Sequence, residues 1–166
     1  SGTAAPNVKP AMIEAFQSKT PLIMFSADRP FELQDIAANQ SINQQHIFSP
    51  FTCYEIQLEV PNQQVNASFL LRTIDYAVFQ AKFHNQPVHI NCPYREPFTL
   101  TLDEKYIWDS DYLSEINEWQ HNETPFSVYH FNEPHLNSDV LDQCFNSFIN
   151  KRNVLLIIGE LTTESE

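Results

Sequence analysis

Two short stretches of this chain carry side chains able to recognise a small, oxygen-rich anion: Ser26-Ala27-Asp28-Arg29-Pro30-Phe31-Glu32-Leu33 and Ala38-Asn39-Gln40. Arg29 is a planar, permanently charged fork that matches a carboxylate, and Asn39 and Gln40 each present a donor and an acceptor. Residues of these types bind and orient; they do not transfer protons at neutral pH. A purely local reading is also open, in which Asp28 pairs with Arg29 and Asn39 acts only as a loop or capping residue. Pattern alone favours that local reading; the setting is what admits a site. Pro21-Leu22-Ile23-Met24-Phe25 is an apolar run bounded by proline and by Ser-Ala-Asp, which predicts a strand over 22–26 buried on both faces of a parallel sheet. In open α/β sheets, ligands collect outside the carboxyl ends of such strands.

The elements that must position these residues follow from periodicity. Val8, Ala11, Met12, Ala15 and Phe16 recur at helical spacing and predict a helix over 6–19, with Ser1 and Thr3 available to cap and Pro6 tolerated in the first turn. An irregular loop runs from the first strand through Gln45, and an extended run covers 52–58. In that run Glu55 and Glu59 alternate with Ile56 and Leu58, which places the two carboxylates on an exposed strand face, with general acid or base work as the secondary reading. Phe69, Leu70, Thr73, Ile74, Ala77, Val78 and Ala81 form one stripe of a helix over 66–82 capped by Asn66. Val88-His89-Ile90-Asn91-Cys92, closed by Pro93, reads as another strand with His89 as a packed core histidine. The order helix, strand, loop, strand, helix, strand is that of a doubly wound α/β layer: a mainly parallel sheet with flanking helices.

Charge divides the chain. Residues 1–98 hold six basic and eight acidic groups, whereas residues 99–166 hold three and thirteen. The step marks a boundary near 93–101 and argues against nucleic acid, whose phosphates require basic surface. Pro93, Pro97, Pro125 and Pro134 frame an acidic linker over 98–136 with helical turns around 112–119. A helix over 138–150 and a buried strand over 154–160, ending on Gly159, then read as the start of a second α/β domain over 137–166. The acidic half contains no calcium-loop spacing. His130 and His135 flank Glu133, but Pro134 interrupts the trio, so a surface loop is the better reading than a metal site. Cys53, Cys92 and Cys144 lack a Cys-x-x-Cys spacing and read as buried, reduced thiols. No apolar run approaches the thickness of a bilayer and no basic, apolar-cored leader opens the chain, so a cytoplasmic protein is expected. Asn66-Ala67-Ser68 and Asn122-Glu123-Thr124 match the glycosylation pattern by chance on that reading.

Several of these blocks, in order, resemble one family. Ser1-Gly2-Thr3-Ala4 before a helix with Pro10-Ala11-Met12-Ile13-Glu14-Ala15, then Ala27-Asp28-Arg29-Pro30, Glu32-Leu33, Ala38-Asn39-Gln40, Thr73-Ile74-Asp75, His89-Ile90-Asn91-Cys92-Pro93 and Glu96-Pro97, are similar to 2-succinyl-5-enolpyruvyl-6-hydroxy-3-cyclohexene-1-carboxylate synthases, members of the thiamine-diphosphate enzyme superfamily. The resemblance implies that residues 1–97 are the second half of a pyrimidine-binding domain. It further implies that the whole enzyme decarboxylates 2-oxoglutarate and adds the succinyl unit to isochorismate in menaquinone biosynthesis, with magnesium or manganese anchoring the cofactor's diphosphate. Arg29 then matches the family's substrate-carboxylate arginine, Asn39 and Gln40 its polar pair, and Gly2 and Thr3 a turn beside the pyrimidine. Phe31 and Ala37 depart from the family's usual residues in this loop.

The resemblance also places the activating glutamate and the diphosphate-binding motif outside this chain. The expectation is therefore an internal excerpt of a dimeric or tetrameric enzyme, inactive by itself and without tightly bound cofactor. Only Gly2 and Gly159 occur, too few for a diphosphate cradle. The competing readings are a non-catalytic α/β binding or assembly module and a different thiamine-dependent 2-oxo acid decarboxylase.

Overall fold

The computed structural model describes residues 1–95, 110–131, 137–149, 151, 153–155 and 157. It divides into two compact units, Ser1–Tyr129 and His130–Glu166, each described by itself.

The first unit is built on one strand. In Pro87-Val88-His89-Ile90-Asn91-Cys92-Pro93 (β3, Pro87–Pro93) every residue is buried. β1 (Leu22–Asp28) and β2 (Tyr54–Gln57) pair with it in parallel from either side, giving the order β1-β3-β2. Helix α1 (Lys9–Gln17) precedes β1, and α2 (Ala67–His84) connects β2 to β3. The α/β layer expected from the sequence is thus present as a three-stranded parallel sheet with flanking helices.

Because side chains alternate along a strand, β3 presents different chemistry to its two faces. Val88, Ile90 and Cys92 meet Ala77 and Ala81 of α2, with Ile23, Tyr54, Ile56 and Ile74 packed around them. The two alanines, one turn apart, leave room for close helix-on-sheet contact. On the opposite face Met12 of α1, Ala5 and Phe48 form a second apolar cluster with Leu22 and Met24. Farther along the same face, towards the carboxyl ends, the buried residues are polar: Ser26, Asp28, His89 and Asn91.

Local sequence sets the ends of the elements. Asn85 adopts a left-handed conformation with φ of 50° and closes α2 with its N–H on the Ala81 carbonyl. Pro87 then cannot extend the helix and begins β3. The expected helix over 6–19 is shorter than its apolar pattern: Gly2–Ala4 and Pro6–Val8 form separate 3-10 turns before α1 starts at Lys9, and Ser1 makes no side-chain cap. Asn66 occupies the position before α2 but does not cap it; its side chain lies 3.5 Å from Glu115 Oε1.

A larger correction concerns β1, which is an edge strand and not buried on both faces. Phe25 is 53% exposed. The uninterrupted apolar run in β1 resembles a central strand, whereas the central strand of this sheet, β3, alternates polar and apolar residues.

Residues 110–129 belong to the first unit. α3 (Ser110–Ser114) and α4 (Asn117–Gln120) supply the short helices expected around 112–119. Tyr112 donates its hydroxyl proton to the Val65 carbonyl at 3.0 Å, and the Ser127 N–H donates to Asp75 Oδ2 at 2.6 Å. The Tyr129 ring stacks on Phe79. In the second unit α5 (Ser138–Ile149) forms as expected. Its Cys144 is exposed, in contrast to the expected buried thiol, while Cys92 is buried and Cys53 half-buried. Of the strand expected over 154–160, residues 156 and 158–160 lie outside the described residues; Val154, Leu155 and Ile157 are exposed and join no sheet. Most of the expected boundary at 93–101, and His135 with Glu133, also lie outside the described residues.

Ile90, fully buried between strands and helix, should be far more costly to truncate than Phe25. Ile90→Ala is expected to destabilise by about 2 to 5 kcal/mol and Phe25→Ala by well under half of that. Urea unfolding followed by circular dichroism measures both, and equal costs would contradict the edge position of β1.

Candidate functional site

The polar half of the sheet's second face is organised by register. Ser26 of β1 and Gln57 of β2 are the lateral partners of Asn91 in β3, and Met24 and Glu55 are those of His89. Asn91, 2% exposed, consequently stands between two polar neighbours. Its Oδ1 accepts from Ser26 Oγ at 2.7 Å and from Gln44 Nε2 at 2.9 Å, and its Nδ2 donates to Asp28 Oδ2 at 2.7 Å and to Gln57 Oε1 at 3.3 Å. That uses the full donor and acceptor capacity of a carboxamide.

The network also fixes a histidine tautomer. Ser26 has one hydroxyl proton, already given to Asn91, so the 2.7 Å contact between Ser26 Oγ and His89 Nε2 requires His89 to donate through Nε2. The ring packs edge-on against Phe48, with centroids 4.7 Å apart. Burial pushes the His89 pKa below its ordinary value; the Glu55 and Asp28 carboxylates oppose that shift and His46 adds to it.

The loop leaving β1 is held at its start by the same network. Asp28, buried, accepts the Arg29 backbone N–H on Oδ1 at 2.7 Å while Oδ2 holds Asn91. The Arg29 guanidinium Nε donates to the Asn39 carbonyl at 3.3 Å, which brings Arg29 and Asn39 together across ten residues. Ser41 Oγ donates to the Leu33 carbonyl, and Glu32 pairs with Arg95 just beyond β3. Asp35, Ala37 and Gln40 adopt left-handed conformations with φ between 56° and 59°, uncommon for residues with a side chain.

Gln40 is brought to Gly2. Gly2 has φ of 62°, and a Cβ built there would lie 2.9 Å from the Gln40 carbonyl oxygen, so only glycine fits beneath this loop. The Gly2 N–H donates to Gln44 Oε1 at 2.7 Å. Of the residues singled out in the sequence, Gly2, Arg29, Asn39 and Gln40 thus meet in one cluster at the carboxyl end of β1. Asn39 and Gln40 are exposed, and Thr3 is exposed in the turn beside Gly2.

Glu55 is not on an open strand face, as its alternation with Ile56 suggested. Its side chain is only 13% exposed, held by His46 Nδ1 at 2.6 Å and Thr52 Oγ1 at 2.7 Å. With Gln45, Ile56, Gln57, His89 and Asn91 it lines a recess of about 220 Å³. Gln44 and Gln57 escaped the sequence reading, and Ser26 was read only as the start of the polar stretch; the one available signal was a strand whose alternate residues, His89 and Asn91, are polar in an otherwise apolar run.

No family model matches the chain. The 2-succinyl-5-enolpyruvyl-6-hydroxy-3-cyclohexene-1-carboxylate synthase of Aliivibrio fischeri is 37% identical over 164 residues, 99% of this chain and 27% of that protein. Over the stretch it spans, the chain belongs to this synthase family. The synthase of Aeromonas salmonicida is 41% identical over 133 residues, 80% of the chain and 23% of that enzyme. The chloroplastic protein PHYLLO of Arabidopsis thaliana is 34% identical over 171 residues, the whole of this chain and 10% of that protein. The chain spans about a quarter of the length of the synthases it matches.

The depressed His89 pKa has a pH consequence with a definite sign. Between its folded value and the ordinary value of 6.5, the unfolded chain binds the extra proton and the folded chain does not. Stability from this group is therefore fully present above pH 6.5 and is lost as pH falls. Thermal melting from pH 7.5 to pH 5 is expected to show a falling midpoint, and His89→Gln to flatten that fall. Parallel pH dependences in the two proteins would show that His89 does not supply it.

Proposed function

We propose that this chain is part of a thiamine-diphosphate-dependent synthase that decarboxylates 2-oxoglutarate and joins the succinyl unit to isochorismate, in menaquinone biosynthesis. The observation that carries the reading is the meeting of Arg29, Asn39 and Gln40 on one loop over Gly2, in a segment 37% identical to such a synthase. In this proposal Arg29 anchors a substrate carboxylate through charge-assisted hydrogen bonds, and the amides of Asn39 and Gln40 orient the second substrate. Gly2 shapes the turn and Thr3, exposed beside it, meets the cofactor's pyrimidine. The division into a pyrimidine-binding part over 1–97, an acidic linker over 98–136 and the start of a central domain over 137–166 belongs to the same proposal. So do a homodimeric or homotetrameric enzyme and a cytoplasmic location. No helix among the described residues is long and apolar enough to cross a membrane.

The cofactor's diphosphate and its metal were tested against the residues present. Among the described residues no three His, Cys, Asp or Glu side chains are grouped to hold a metal ion. The one described glycine is closed over by Gln40, so it opens no cradle for a phosphate. These residues do not fit the diphosphate or magnesium or manganese. The part assigned to this chain is binding and orientation of the reacting molecules.

In the full-length enzyme Arg29→Ala should raise KM for 2-oxoglutarate and lower kcat/KM by an amount equivalent to about 2 to 4 kcal/mol, with unchanged circular dichroism. Kinetics within about threefold of the parent would reduce Arg29 to a loop-structuring residue. Gln40→Ala should slow carbon–carbon bond formation more than decarboxylation. Carbon dioxide release without isochorismate, compared with the coupled reaction, separates the two; equal losses would show that Gln40 supports the loop and not the acceptor.

A further inference from the structure

We propose that Gln44 is a positioning residue for substrate binding, acting as the clamp that shuts the neck of the Arg29–Gln40 loop. The inference rests on the functional reading above and goes beyond it to a residue with no assigned role. Gln44 is fully buried, with 0% exposure, although it follows an exposed loop. Both of its N–H groups are used: one on the Ala27 carbonyl at 3.0 Å, the other on Asn91 Oδ1 at 2.9 Å. Its Oε1 accepts the Gly2 N–H. One side chain therefore ties together three separate pieces of chain: the end of β1 two residues before Arg29, the central strand, and the turn that supports Gln40.

The loop needs such a clamp. Three of its non-glycine residues hold left-handed backbone conformations, each of which costs free energy that surrounding contacts must offset. Within it the Leu33, Gln34 and Ser41 N–H groups donate to the Pro30, Phe31 and Ala38 carbonyls, turn contacts between near neighbours in the chain, and the longer-range contacts of Asn39 and Ser41 lie at exposed or partly exposed positions. Without Gln44 the neck loses its tie to Ala27, and Gly2 is freed from beneath Gln40. The loop then populates conformations in which Arg29 and Gln40 are apart. Apparent affinity falls in proportion to the fraction of molecules still in the competent arrangement, while turnover at saturation is little changed.

Gln44→Met in the full-length enzyme removes all three hydrogen bonds at nearly constant volume. Amide hydrogen exchange should rise about tenfold or more at Gly2 and over 37–41 and stay unchanged in β3. KM for 2-oxoglutarate should rise about tenfold with kcat within about threefold. Gln44→Asn, which keeps the amide but is one methylene too short to reach Gly2, Ala27 and Asn91 together, should fall between native and Gln44→Met, and it provides the test if the methionine variant fails to fold. Exchange that is unchanged, or raised evenly across residues 1–95, would overturn the proposal. So would local loosening with an unchanged KM while Arg29→Ala raises it. If Arg29→Ala itself leaves KM unchanged, the substrate assignment fails, and the clamp stands or falls on the exchange pattern alone.

Discussion

Four hydrogen bonds to one buried carboxamide hold the polar half of this molecule together. Asn91 lies in the middle strand of a three-stranded sheet, 2% exposed, and each of its groups is matched by protein. The matching groups come from β1, from β2 and from the loop that ends at Gln44. Among the described residues no buried side-chain nitrogen or oxygen lacks a partner. Such a network is demanding, because a single missing member leaves buried groups unpaired at roughly 1 to 3 kcal/mol each. It also specifies position far more sharply than apolar packing, since hydrogen bonds depend on direction as well as distance.

The sheet thus has two faces with separate tasks. Beneath α2, Val88, Ile90 and Cys92 meet Ala77 and Ala81 in an ordinary apolar core that supplies cohesion. On the other face Met12 and Phe48 cover the amino-terminal half, and the polar cluster takes over towards the carboxyl ends. A side chain's face therefore decides whether it contributes stability or geometry. This arrangement explains how a loop with a half-buried arginine and two exposed amides can be held in defined positions.

Much of the frame was legible in the sequence because it rests on periodicity. The stripe ending in Ala77 and Ala81 gave α2, and the run from Val88 to Cys92 gave β3. Arg29, Asn39 and Gln40 were legible as a site because their side-chain chemistry and their place after an apolar run point the same way. Other features were not. The burial of β1 was misjudged, since an apolar run records composition and not the number of neighbouring strands. The capping roles of Ser1 and Asn66 failed because 3-10 turns and a competing contact with Glu115 replaced them. Gln44 was invisible, since a glutamine in a polar loop looks the same whether it faces water or closes a buried network; only the contacts among Gly2, Ala27 and Asn91 distinguish the two.

The Glu32–Arg95 pair and the Gln44 tie both act near the base of the loop, leaving the four residues 34–37 as its outer turn, with Asp35, Ile36 and Ala37 exposed. The entropy of closing a loop grows only slowly with its length. Residues could therefore be added or exchanged in that outer turn with little effect on how the base is held. Relatives that act on bulkier or smaller molecules would then be expected to differ in the length and composition of this turn, while the buried amides beneath it stay the same.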